Sequence, residues 1–265
     1  MAISGKTELV ALLGDPVAQA SSPRLMNARF GAQARDAVFV ALQVAAGELA
    51  PVVAGLRATR NFRGAVVTLP HKVAVVPLLD ALEPDAAAVN ACNVFRREHD
   101  GRLVGTNFDG EGFVAGLRAA GHEVRGTRVF LAGAGGAAAG IALALGRHGA
   151  VSLAIHNRTR STAQALAARL SVAIPGVRVS VEGPSPHGCD LVVNATSLGM
   201  RPEDPAPLDV GGLEPGAVVA EAPIRPEPTR LLAEAAARGC RTHGGLPMLE
   251  AQLELMARFI FVEPG

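Results

Sequence analysis

Gly133-Ala134-Gly135-Gly136-Ala137-Ala138 is the segment of this 265-residue sequence whose types and spacing point most directly to a chemistry. A strand-like run, residues 128–132, precedes it, and an apolar helical run and a second strand-like run, residues 151–155, follow. This is G-x-G-x-x-A inside a βαβ unit. Gly133 serves the tight turn, Gly135 lets the backbone approach a pyrophosphate, and the small Ala138 allows close helix–strand packing. A diphosphate would rest on the helix N-terminus, where free N–H groups and the helix dipole favour anions. The acid that usually binds an NAD ribose about 20 residues on is missing. The second strand ends instead in His156-Asn157-Arg158-Thr159-Arg160. Arg158 can bind a 2′-phosphate by charge-assisted bonds, with Asn157 and Thr159 adding neutral ones, so NADP is the expected cofactor. Read as plain structure, Arg158 and Arg160 are solvated loop charges.

Lys72 is the second chemical signal. Only Lys6 and Lys72 are lysines, and the other 23 of 25 basic residues are arginine. Lysine, unlike arginine, can have its pKa lowered enough to exchange a proton. Lys72 closes the segment Val67-Thr68-Leu69-Pro70-His71-Lys72. Two more segments stand out, Ala91-Cys92-Asn93-Val94 and Gly105-Thr106-Asn107-Phe108-Asp109-Gly110.

At these segments the sequence resembles the shikimate dehydrogenase family. The resemblance begins at Gly14-Asp15-Pro16, Ser22-Pro23 and Asn27, and passes through the three segments and the glycine turn. It continues through Asn157-Arg158-Thr159 and Asn194-Ala195-Thr196-Ser197-Leu198-Gly199-Met200 to Gly245-Leu246-Pro247-Met248-Leu249 and Gln252. It implies NADP-dependent interconversion of a ring hydroxyl, as in shikimate, and a ketone, as in 3-dehydroshikimate. Lys72 and Asp109 match the family's catalytic pair, which handles the proton that accompanies hydride transfer. Burial lowers a lysine pKa and a neighbouring carboxylate raises it. Thr68, Asn93 and Gln252 match residues that hydrogen-bond the substrate's hydroxyls, and Ser22 matches a serine that binds its carboxylate. Thr196 and Gly245 match cofactor positions, alongside Gly133, Ala134, Gly135, Gly136, Ala137, Asn157, Arg158 and Thr159.

The departures from the family cluster in substrate recognition. The first carboxylate-binding serine is Ala20 in Gln19-Ala20-Ser21-Ser22-Pro23. Val66, Val94 and Phe108 stand where polar residues are usual, Ile224 replaces a tyrosine, and Pro247 a glycine. The pair is retained in a more apolar pocket, which leaves room for quinate or an amino- or deoxy-analogue as substrate. A non-catalytic NADP- or metabolite-binding regulator is a further alternative. Each residue also has a plain structural reading: Asp109 as a helix N-cap, Asn93 as a strand-end turn residue, His71 as solvated, Gln252 on an outer helix face.

These residues need positioning elements. Strand-like runs at residues 9–13, 38–43, 65–68, 93–96, 128–132, 151–155, 191–194 and 217–221 alternate with helical patterns, which argues for α/β architecture with parallel sheets. Ser22-Pro23 reads as an N-cap and first helical residue, Ser161 to Gln164 as a capping box, and glycines 121, 149 and 239 as helix C-caps. The expected organisation is a substrate-binding domain at 1–104 and a Rossmann-like NADP-binding domain at 105–240. A C-terminal helix at 241–265 is expected to pack back on the first domain.

Composition sets the outer bounds. Hydrophobic residues make up 49% and charged residues 18%, enough for a sizeable core and too apolar for a disordered chain. A net charge of +1, with no Trp or Tyr, gives nucleic acid neither a basic face nor stacking platforms. The uncharged stretch 129–146 reads as strand, turn and helix and not as a membrane span. Three widely spaced cysteines form no disulfide or zinc pattern, and no metal is expected. The N-terminus reads as a first strand and not a signal peptide, so a cytoplasmic protein is expected, as a monomer or homodimer.

Overall fold

The computed structural model describes residues 3–201, 203–224 and 228–261. The chain forms two compact units. One contains everything up to Phe108 together with the chain from Leu253 onward; the other is Asp109–Gln252.

The first unit runs β1 (Glu8–Gly14), α1 (Ser22–Ala32), β2 (Ala37–Gln43), α2 (Leu49–Ala58), β3 (Phe62–Val67), α3 (His71–Ala74), β4 (Ala81–Leu82), α4 (Pro84–Val89), β5 (Val94–Arg97) and β6 (Leu103–Thr106). Its sheet has the order β2-β1-β3-β5-β6-β4 among the described residues. β1 is an interior strand apolar on both faces, and Val10 to Leu13 are at most 2% exposed, as expected of a strand covered on both sides. β2 and β3 flank it in parallel. The expectation of parallel sheets needs one correction here: β3–β5 and β5–β6 are antiparallel. The second pairing follows from the tight turn at Asp100-Gly101 (Gly101 φ +90°), which lets β6 fold straight back on β5.

The second unit runs α5 (Asp109–Ala119), β7 (Arg128–Ala132), α6 (Gly136–Arg147), β8 (Ser152–His156), α7 (Arg160–Ala173), β9 (Arg178–Val181), β10 (Leu191–Asn194), β11 (Val218–Glu221), α8 (Arg230–Ala237), β12 (Arg241–His243) and α9 (Leu246–Ile260). The unit boundary falls within α9, at Gln252/Leu253. The sheet order is β12-β11-β10-β7-β8-β9, all parallel. It is doubly wound, and the direction of winding reverses between β7 and β10. The apolar stretch 129–146 divides into β7, a turn and α6. No helix among the described residues is long and apolar enough to cross a membrane.

Local signals are only partly realised. Gly149 has φ +96° and closes α6 as a C-cap, with Ala150 N–H donating to the Leu145 carbonyl at 3.0 Å and Gly149 N–H to that of Gly146 at 3.1 Å. Gly121 and Gly239 follow helices in the same left-handed conformation. The capping readings at Ser22 and Ser161 are overturned. Ser22 is already helical, Ser21 is the N-cap, and no side-chain capping bond forms. α7 starts one residue before Ser161, behind Thr159, again without a side-chain cap.

Candidate active site

In the first unit, the C-terminal ends of β1 and β3 set the local geometry. Thr68 N–H donates to the Leu13 carbonyl at 2.9 Å, and Val67 N–H to the Asn93 carbonyl at 2.7 Å. Thr68 therefore lies beside the end of β1, and a Cβ on Gly14 would fall 2.4 Å from Thr68 Cγ2. Glycine at 14 is a requirement of that approach. Asn93 is buried, and its Oδ1 accepts from Phe108 N–H at 2.9 Å. Lys72 is half-buried on α3, and its carbonyl accepts from Cys92 N–H at 2.7 Å. The structure thus brings Thr68, Lys72 and Asn93 to one end of this sheet through backbone bonds. Ser22 is buried at the start of α1.

Three neighbours take structural roles. His71 is not solvated: it is 1% exposed, with Nε2 2.7 Å from the Val44 carbonyl. Asn27 clamps α1 to β2 with its amide, both bonds to Phe39 backbone groups being 2.8 Å. Phe108 packs edge-on against Phe259 with centroids 5.9 Å apart, and the Arg96 guanidinium lies 4.3 Å from the Phe259 ring centroid. Val66 and Val94 face each other directly across β3 and β5, so these two departures from the family pattern form a single apolar cross-strand pair.

In the second unit, the glycine turn lies at the carboxyl end of β7, beside the switch point where ligands of such sheets bind. Gly133 has φ +115°, and a Cβ there would fall 2.9 Å from the Ala195 carbonyl oxygen. Gly135 is exposed, and nothing lies within 4 Å of where its Cβ would be. Ala134, Gly136 and Ala137 are half-exposed around it. The ladder of α6 begins with Ala139 N–H on the Gly135 carbonyl at 2.9 Å, so the three N–H groups before it are left for an anion. Beyond β8, the Asn157 amide donates to the Thr159 carbonyl at 3.0 Å. Arg158 is exposed and makes no ion pair or hydrogen bond among the described residues. These features fit a dinucleotide diphosphate at α6 and a 2′-phosphate at Arg158. Gly245 is likewise forced, since a Cβ would lie 2.5 Å from the Pro223 carbonyl oxygen.

Asp109 opens α5 and is 1% exposed, so it is the first helical residue and not the N-cap. Gln252 is 6% exposed, which excludes an outer helix face. It packs on α5 through glycine: a Cβ at Gly112 would fall 2.8 Å from Gln252 Cβ.

Thr196 belongs to a hydrogen-bonded turn that sequence reading left unresolved. Asn194 Oδ1 accepts from Thr196 N–H at 3.0 Å and from its hydroxyl at 2.7 Å, and the Thr196 oxygen accepts from Leu198 N–H at 3.0 Å. The hydroxyl proton is committed, so toward any ligand Thr196 offers only a lone pair. Glu221, which the sequence reading missed, anchors the turn from β11. It is 1% exposed and accepts from Asn194 Nδ2 at 2.9 Å and from the Thr229 hydroxyl at 2.6 Å. Burial pushes its carboxyl above the ordinary carboxylate value, and the bonds from Thr229 and Asn194 oppose that shift. The available signal was an acid closing the apolar strand-like run Ala217-Val218-Val219-Ala220-Glu221.

A parallel sheet of this order, with a glycine turn at its switch point, defines a Rossmann-type unit, here joined to a second α/β unit. Residues 12–95 match the model of the shikimate dehydrogenase substrate binding domain. The chain is 43% identical to shikimate dehydrogenase (NADP(+)) of Moorella thermoacetica, over 93% of this chain and 85% of that protein. A crystal structure of shikimate 5-dehydrogenase from Listeria monocytogenes, in complex with shikimate and NAD, superimposes with a TM-score of 0.88 at 31% identity, covering 99% and 94% of the two chains. Ligand-free 5-ketofructose reductase of a Gluconobacter strain does so with 0.84 at 32% identity, covering 98% and 95%. The chain belongs to the shikimate dehydrogenase family.

Proposed function

We propose that the protein is an NADP-dependent oxidoreductase that interconverts shikimate and 3-dehydroshikimate. The observation that carries this reading is the cradle at the switch point: a glycine turn open to solvent, the free N-terminus of α6 and the unpaired Arg158, in a chain 43% identical to an NADP(+) shikimate dehydrogenase. NADP, when bound, exchanges the hydride. Gly133, Ala134, Gly135, Gly136 and Ala137 receive its diphosphate, Asn157, Arg158 and Thr159 its 2′-phosphate, and Thr196 and Gly245 complete the cofactor site. Lys72 and Asp109 move the proton that accompanies the hydride. Thr68, Asn93 and Gln252 bind substrate hydroxyls and Ser22 its carboxylate. The first unit is then the substrate-binding domain and the second the NADP domain, in a cytoplasmic enzyme that is a monomer or homodimer.

The Val66–Val94 pair favours a second reading, a cyclic substrate with fewer polar groups than shikimate. The reductase of the Gluconobacter strain bears on change of substrate alone, because its name specifies a different ketone on the same fold. The test is steady-state reduction of NADP and NAD with shikimate, then quinate. NADP-dependent turnover of shikimate is expected. Lys72→Ala is expected to lower kcat by about 10²-fold or more while NADP still binds. Turnover unchanged in that variant removes Lys72 from the reaction, and no turnover of either acid by the unaltered enzyme moves the reading to another substrate.

A further inference from the structure

We propose that Glu221 is a positioning residue for the cofactor: through Asn194 it holds the turn at Thr196 in its binding-competent form. The inference rests on the reading that this turn meets NADP.

The argument starts from the register of the sheet. Asn194 pairs with Ala132 on one side and with Glu221 on the other, so the last residues of β7, β10 and β11 lie in a row. The carbonyl of Ala195 sits where a Cβ on Gly133 would come within 2.9 Å, so the Thr196 turn and the glycine turn are packed in contact. A shift of one moves the other.

Asn194 has four hydrogen-bonding places in its amide. Two acceptor sites go to the Thr196 N–H and hydroxyl, and one donor site goes to the Leu198 carbonyl at 2.9 Å. All three partners lie inside the turn. The fourth place, the remaining N–H, is held by Glu221 at 2.9 Å. The backbone of the turn is tied to β7 by Ala195 N–H on the Ala132 carbonyl at 2.8 Å, and Glu221 is the partner that ties the Asn194 side chain to the rest of the unit. Its other oxygen accepts from Thr229, whose hydroxyl oxygen caps α8 by accepting from Leu232 N–H at 3.2 Å. The backbone partners of Asn194 fix which way its amide faces. Loss of the carboxylate leaves one buried Asn194 N–H without its partner, so the amide that holds Thr196 is anchored only to the turn itself and is held less firmly.

The experiment is calorimetric titration of NADP into the unaltered protein, Glu221→Ala, Glu221→Gln and Thr229→Val, with thermal midpoints and full steady-state constants. Glu221→Ala is expected to weaken NADP by about 10-fold, near the lower end of what a buried polar group left without its partner costs. The KM for NADP rises with it and the KM for shikimate stays within about twofold. Glu221→Gln is expected to restore binding to within about twofold, because its carbonyl oxygen still accepts from Asn194. Equal NADP affinity in folded Glu221→Ala overturns the proposal, as does a Gln variant as weak as the Ala variant. Should Glu221→Ala fail to fold, Thr229→Val decides. A lower affinity, by about threefold, supports the tie; a lower midpoint with unchanged affinity reduces Thr229 and Glu221 to capping and packing, and overturns it. Absence of NADP binding by the unaltered protein is a distinct result and overturns the cofactor reading itself.

Discussion

Gly110→Ala tests how closely the backbone at α5 governs Asp109. A Cβ at position 110 would fall 2.1 Å from the Gly140 carbonyl oxygen and 2.6 Å from Ala144 Cβ, both on α6. Real Cβ atoms essentially never come within 3.0 Å of a non-bonded heavy atom. The nearest obstacle is backbone, which cannot swing aside as a long side chain can, so α5 and α6 must part by about 1 Å. Overpacking of this kind costs about 1–3 kcal/mol, and each kcal/mol lowers the midpoint by about 2–4 °C in a chain of this size, giving a fall of roughly 2–12 °C. Asp109 is the adjacent residue and moves with the backbone. With Asp109 in the proton-handling role proposed for it, a displacement of about 1 Å lowers kcat by about 10²-fold. The assay pairs thermal unfolding with NADP-dependent turnover of shikimate. Gly55→Ala is the control: position 55 lies exposed in α2 with nothing within 4 Å of the new methyl, so it is expected to be neutral or to stabilise by up to about 1 kcal/mol. An unchanged midpoint in Gly110→Ala refutes the packing argument. A lowered midpoint with unchanged kcat refutes the link from that packing to Asp109.

Arg158→Ala is expected to weaken NADP by about 10-fold or more and NAD by less than about twofold, measured by binding titration; equal losses contradict recognition of the 2′-phosphate. Ala20→Ser is expected to lower the shikimate KM by about 10-fold, since the nearby Gln19 amide donates to the Pro16 carbonyl at 3.2 Å and does not supply the missing bond. An unchanged KM places the carboxylate elsewhere. The rings of His122 and His243 meet edge-on at 5.7 Å. Burial lowers both pKa values below 6.5, helped by Arg241 at His122 and by His122 at His243. The unfolded chain therefore binds more protons than the folded one as pH falls through 6.5, and stability is lost in that direction. His243→Phe is expected to flatten the fall in unfolding free energy between pH 6.5 and the lower folded-state values, and an identical slope removes His243 from it.

The strand–turn–helix frame of the glycine turn was legible because its signals are local. The glycine turn needs a strand before it and a helix after it, all within twenty residues, and β7 and β10 fall at the residues expected of them. What stayed hidden depends on partners distant in sequence. His71 reads as a surface neighbour of Lys72 until Val44 is placed beside it. Glu221 and Asn194 meet across 27 residues of sequence. The strands β4, β9 and β12 are two to four residues long at or near sheet edges and carry no alternation to detect. The antiparallel pairing of β5 with β6 depends on the turn at Gly101, and an alternation of strand and helix patterns carries no strand direction. The capping motifs at Ser22 and Ser161 fit the sequence rules and failed because α1 begins one residue early and α7 two.

The division of α9 at Gln252/Leu253 constrains the order in which the molecule can assemble during synthesis. The first unit depends on residues that leave the ribosome last among those described. Phe261 meets Phe30 edge-on at 5.5 Å, Phe259 meets Phe108, Ile260 lies against Gly64, and Glu254 pairs with Arg29. The second unit is complete in sequence once Gln252 has emerged. The half made first is thus finished last: residues 3–108 must wait, with Phe30 and the Gly64 face uncovered, until the whole of the other half has been translated.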